Sequence, residues 1–252
     1  MKHPRIRPAA TAYTGNAPIP VRNAAMPAAA TPRAFRARDL QLARALFAAI
    51  VAVMITFSPD HSAAIGLSVF SGFAIATGLV FLLAAWLVYP AGARWQAILM
   101  GILSVVAGMA GGIPAWRSEV TFVVIVAVWA LATGLTEALS SWREVRLSRG
   151  APELAVAARE ARDGLAVGLI TLVLSVALIS VPVSYALEYT IDEAGTFTLT
   201  GTTIGVGILG GYAAIIAVWL AIAGFSPRPA AVAETTEPTG DAAAVSSTED
   251  SR

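Results

Sequence analysis

Six stretches of apolar residues, each close to the ~20 needed for a helix to cross the hydrocarbon core of a bilayer, occupy the middle of this chain. They run at about Leu42–Ser58, Ala64–Tyr89, Gln96–Trp116, Val120–Trp142, Gly164–Leu187 and Gly201–Phe225. Turn and charge signals part them: Ser58-Pro59-Asp60-His61, Pro90-Ala91-Gly92-Ala93-Arg94, Arg117-Ser118-Glu119, an Arg-rich linker over 143–163, and the acidic segment around Glu188, Asp192 and Glu193. Ten-residue alternating segments, the mark of a transmembrane barrel, are missing. The pattern predicts an all-α, polytopic bundle of six transmembrane helices. The first run is the shortest, and Pro182 is expected to kink the fifth or loosen its end.

Charge sets the expected orientation. If the N-terminus is cytoplasmic, every basic residue except Arg117 falls on the inner side, as the positive-inside rule asks. An even number of spans then returns the C-terminus to the cytoplasm, and the first run reads as a retained first span, not a cleaved signal. Residues 1–41 (basic) and 226–252 (acidic) combine Pro, Ala and polar residues and read as disordered tails flanking the membrane domain over 42–225. The basic tail is expected to serve as a solvated topology signal, with contact to anionic headgroups as its sharper reading. In the linker, Gly150-Ala151-Pro152 marks a break, and 152–163 reads as a short amphipathic helix leading into the fifth span.

Setting Phe73–Trp86 over Trp129–Trp142 gives identities at seven of fourteen positions, including Ala74/Ala130, Thr77/Thr133, Gly78/Gly134 and Trp86/Trp142. The sixth run repeats the spacing from Gly211 to Trp219. Each even-numbered run therefore carries a glycine eight residues before a tryptophan, so the chain reads as three tandem hairpins. Gly78, Gly134 and Gly211 are the expected helix-packing positions; Trp86, Trp142 and Trp219 are the expected interface anchors. Pairs of small residues four apart, such as Gly164/Gly168 and Gly207/Gly211, add close-packing faces, with homo-oligomer formation as one outcome.

Few residues offer chemistry. The chain has no Cys and two His, which removes thiolate sites and leaves little for histidine triads. Gly205-Val206-Gly207-Ile208-Leu209-Gly210 matches a dinucleotide fingerprint in letters only, because it lies inside an apolar helix with no strand before it. No catalytic residue, metal site or cofactor is expected, and the near-neutral charge of +1 gives no footprint for nucleic acid; the expected partner is the bilayer.

Glu137 is the ionisable group that stands well inside a predicted span. It shares a helix face with Ala130, Thr133, Gly134, Ser140 and Ser141, and its repeat counterparts are Phe81 and Ala214. One reading is a proton or ion relay with Thr133 and Arg94; the other is a structural acid paired with Arg94 or Arg143 or bonded to nearby hydroxyls. On the outer side Asp60, His61, Glu119, Glu188, Asp192 and Glu193 form a mostly acidic surface with one imidazole, read either as a solvated surface or as a pH sensor.

The repeated ATG-L-x3-L-x2-W element, and above all Trp129–Leu147 (WALATGLTEALSSWREVRL), resembles the HdeD-type acid-resistance membrane protein family. Gly134, Leu135, Glu137, Trp129 and the Arg143/Arg146 pair carry the likeness, which spans roughly Leu42–Phe225. The resemblance implies a six-span, non-enzymatic protein built from duplicated hairpins, resident in the plasma membrane and active in acid or envelope stress. A small transporter or proton conductor using Glu137 is the alternative.

Overall fold

The computed structural model describes residues 37–149, 155–192 and 195–226. Both expected tails lie almost wholly outside the described residues, as does the break at 150–154. Six helices long and apolar enough to cross a membrane are present: α1 (Ala37–Phe57), α2 (Ala63–Leu87), α3 (Trp95–Gly112), α4 (Glu119–Leu147), α5 (Ala155–Ser180) and α6 (Gly201–Phe225). The shortest is α3, with 18 residues, and not α1. Pro114 closes α3 into a 3-10 turn over Pro114–Trp116, while α4 continues past Trp142 to Leu147. The amphipathic segment read at 152–163 is the first part of α5, from Ala155 onward.

Side-chain caps start three of the helices. Ser62, Ser118 and Thr200 each accept from a backbone N–H three residues on, before α2, α4 and α6. Pro182 kinks nothing, because α5 ends before it at Ser180. Beyond it the chain forms an antiparallel hairpin of β1 (Ala186–Ile191) and β2 (Gly195–Thr200), where the sequence reading has only an acidic loop and extends the fifth span to Leu187. Gly195, at φ +102°, closes the turn in a conformation other side chains adopt with strain.

Each helix packs on its neighbours in sequence, and α6 packs on α1, so the six helices close into a ring. The even helices also touch one another across its centre. Burial follows that arrangement: 50%, 50% and 44% of the most apolar stretches of α2, α4 and α6 are buried, against 28%, 33% and 33% for α1, α3 and α5. The repeated sequence element thus belongs to the inner three helices.

The tightest packing, however, runs between the expected hairpins: α2 on α3, α4 on α5, and α6 on α1. Glycine explains the first two. A Cβ on Gly78 would sit 2.8 Å from the Gly101 carbonyl oxygen of α3, and one on Gly134 would sit 3.0 Å from the Gly168 carbonyl of α5. Without side chains there, backbones meet directly. Gly211 departs from its expected role, since a Cβ there would meet nothing within 4 Å; Gly210, one residue earlier, packs on Ile55 of α1 instead. The third copy of the element is therefore rotated and shifted along its helix. Leu220 and Ile216, and not Ala214, line the two cavities shared by Phe81 and Glu137, and Ala214 faces outward.

Candidate functional site

Glu137 is buried, as its small, polar helix face predicts. Its partner is Arg44 of α1, 93 residues away in sequence, and neither Arg94 nor Arg143. The guanidinium donates from Nη1 to Oε1 at 2.9 Å and from Nη2 to Oε2 at 3.2 Å. This two-point geometry is the strong form of an Arg–carboxylate contact. The Phe81 ring of α2, its centroid 4.5 Å from the guanidinium carbon, supports Arg44 from a third element. The two side chains are 13% and 9% exposed, so they neutralise each other largely out of water.

Arg94 has a different job. Its Nε donates to the Tyr89 carbonyl at 3.1 Å and its guanidinium lies over Trp86 at 5.2 Å, fastening the turn between α2 and α3. Arg143 is exposed, and Arg146 stacks over Trp142 at 3.9 Å. Trp86 and Trp142 both lie exposed near the end of the bundle where α1 begins and α6 ends, hereafter the linker end. Trp219 is exposed as well, six residues before α6 ends.

Two cavities flank the ion pair. The first, about 150 Å³, leads from Ala37 and Ala93 at the linker end down to Arg44 and Glu137, past Gln41, Gln96, Tyr89 and Glu144. Burial pushes the Tyr89 phenol above its ordinary value, so it stands neutral at the mouth. The second, about 20 Å³, lies beyond the pair among Thr77, Ser104, Thr133, Thr171 and Tyr212. Thr133 is 2% exposed and gives its hydroxyl proton to the Trp129 carbonyl at 2.7 Å. The Trp129 indole donates to Ser104 at 3.1 Å, and Tyr212 shares a hydrogen bond of 3.1 Å with Thr171.

Above this chamber the polar column ends. Phe70, Phe73 and Tyr212 meet Trp129 edge to face at 5.2, 5.9 and 6.4 Å. Next, Phe122 fills the space left by Gly66 and Gly205 and packs with Val206 and Leu178. An apolar layer therefore separates the column from a third cavity of about 420 Å³ at the opposite, hairpin end, where the starts of α2, α4 and α6 surround Asp60, His61, Arg117 and Glu119.

Of the residues singled out in the sequence, Glu137 and Thr133 come together at the site and Arg94 does not. Sequence reasoning missed Arg44, Ser104, Thr171 and Tyr212. The available signal was polar residues recurring inside apolar runs, since Ser104, Thr171 and Ser175 all interrupt hydrophobic stretches and all prove buried.

Fold and site together define a polytopic helical membrane protein with a polar interior, reached from one end, that holds a buried Arg–Glu pair. No family model, curated protein or solved structure matches the chain.

Proposed function

We propose that this is a non-enzymatic, multi-pass protein of the bacterial plasma membrane, HdeD-like in type, that acts in acid or envelope stress with its linker end in the cytoplasm. The observation that carries the reading is the Arg44–Glu137 clasp, which ties α1 to α4 across the bundle and is reached from the linker end. Arg44, Tyr89, Glu144, Glu160, Asp163 and Tyr212 face the carboxylate or its cavity from the elements around it. Loss of either charge would leave the other buried without its partner, a costly state that loosens α1 from α4. A strain lacking the gene is expected to lose viability in acid and to be rescued by the wild-type chain but not by Glu137→Gln. Normal survival of the deletion strain would overturn the physiological reading. For orientation, the absence of native cysteine permits single-cysteine labelling: Ser62→Cys and Thr196→Cys should react with a membrane-impermeant reagent in intact cells and Arg94→Cys should not.

A second reading, proton or small-solute conduction through Glu137, is favoured by the two stacked cavities that carry polar groups past the ion pair. The apolar layer at Phe70 and Phe122 stands against it. In proteoliposomes under an imposed pH gradient, flux in the wild type that is lost in Glu137→Gln would replace the first reading with the second.

A further inference from the structure

The β-hairpin between α5 and α6 has two unlike faces. Register pairs Leu187 with Leu199, Tyr189 with Phe197 and Ile191 with Gly195 on one face, and Ala186 with Thr200, Glu188 with Thr198 and Thr190 with Thr196 on the other. One face is thus wholly apolar, with Tyr189 and Phe197 stacked at 5.9 Å; the other is polar, with Thr190 and Thr196 hydrogen-bonded at 3.1 Å. Yet Leu187, Tyr189, Ile191 and Phe197 are 43–49% exposed. No described part of the bundle covers them. A two-stranded hairpin alone in water is marginal at best, so its apolar face needs an occupant.

We propose that this occupant is the headgroup region of the bilayer on the hairpin side, into which the hairpin lays Leu187, Tyr189, Ile191 and Phe197. Tethering confines the hairpin to the membrane surface. Thr200, the last residue of β2, is itself the N-cap of α6, and the Gly201 N–H donates to the Tyr185 carbonyl at 2.8 Å, so no linker separates strand from span. On the other side five residues join Ser180 of α5 to β1. At the end of α5 that leads into the hairpin, Val176 and Ile179 are likewise 65% and 67% exposed. The chemistry of the apolar face suits the interface: aromatic residues concentrate there, and the face carries no charge, while Glu188 lies on the opposite face and Asp192 at the turn. Hydrogen bonding fixes the depth. Both strands are edge strands with unpaired backbone groups along their outer sides, and these need polar partners that headgroups and interfacial water supply and hydrocarbon does not. The hairpin therefore lies flat in the interface and stops short of the apolar core.

The cysteine-free chain allows a direct test. Full-length single-cysteine variants, labelled with a small environment-sensitive fluorophore, are reconstituted into phosphatidylcholine–phosphatidylglycerol vesicles with and without nitroxide-labelled phosphatidylcholine. Tyr189→Cys and Phe197→Cys should show blue-shifted emission and several-fold stronger quenching by the lipid nitroxide than Thr190→Cys and Thr198→Cys, which should be quenched by aqueous iodide. Leu187→Cys against Glu188→Cys repeats the contrast near the base of the hairpin, should a change at the stacked aromatic pair unfold it. Equal iodide quenching at all positions would overturn the proposal. So would apolar-face labels that are shielded from iodide but untouched by lipid nitroxide, especially if Tyr189→Cys cross-links between chains, which would assign the face to a second copy.

Discussion

Glu137 was conspicuous in the sequence as a carboxylate inside an apolar run, but its partner was not. Pairing it with Arg44 depends on where α1 comes to rest against α4, 93 residues away, and no local spacing encodes that. Arg94 and Arg143 seemed suitable by height alone. Both turn to other tasks or to solvent, because height on a helix says nothing of azimuth. The pair is expected to behave as one unit. Removing either partner strands a buried charge, a cost of about 3–5 kcal/mol, whereas well-packed apolar replacement of both is often neutral or stabilising. In detergent, Arg44→Ala and Glu137→Ala should each lower the melting temperature sharply, and Arg44→Met with Glu137→Met should recover most of the loss. Additive losses in the double variant would show that the two side chains are not coupled.

At the scale of elements, apolar length and turn residues placed all six spans. The β-hairpin is hard to read because its alternation, Leu187-Glu188-Tyr189-Thr190-Ile191 followed by Phe197-Thr198-Leu199, begins at the end of an apolar run and is broken by acids that mark a loop. Its period of two separates it from a helix once the break at Pro182 is taken as an end. Helix glycines divide by what lies opposite them. Gly134→Ala forces a Cβ to 3.0 Å from the Gly168 carbonyl, and overpacking of this kind typically costs about 1–3 kcal/mol. Gly211→Ala meets open space and should gain about 0.5–1 kcal/mol, the usual advantage of Ala over Gly within a helix. Thermal melts of the two variants should therefore move in opposite directions; a fall for Gly211→Ala would show that this outward face is covered by another chain.

The molecule as a whole is a ring with inner and outer helices, and its closure between α1 and α6 joins the two ends of the described chain. A Cβ on Gly210 would lie 3.1 Å from that of Ile55, close enough for a disulfide with slight relaxation. The paired variant Ile55→Cys/Gly210→Cys should therefore form an intramolecular disulfide under mild oxidation, seen as a mobility shift reversed by reductant; free thiols under those conditions would mean the ring is open. The sequence by itself determined the solvent of this protein, its six crossings, and the repeat that marks the even helices, because each is written in local composition: the length of an apolar run, a turn, a spacing. Tertiary structure alone decided which helices press closest, that the third copy of the repeat is displaced so that Gly210 replaces Gly211, and that Arg44 answers Glu137. Those outcomes depend on how surfaces fit around a shared axis. Inside a bilayer, where apolar side chains gain little from meeting one another rather than lipid, fit and polar pairing carry the association, and neither can be read one helix at a time.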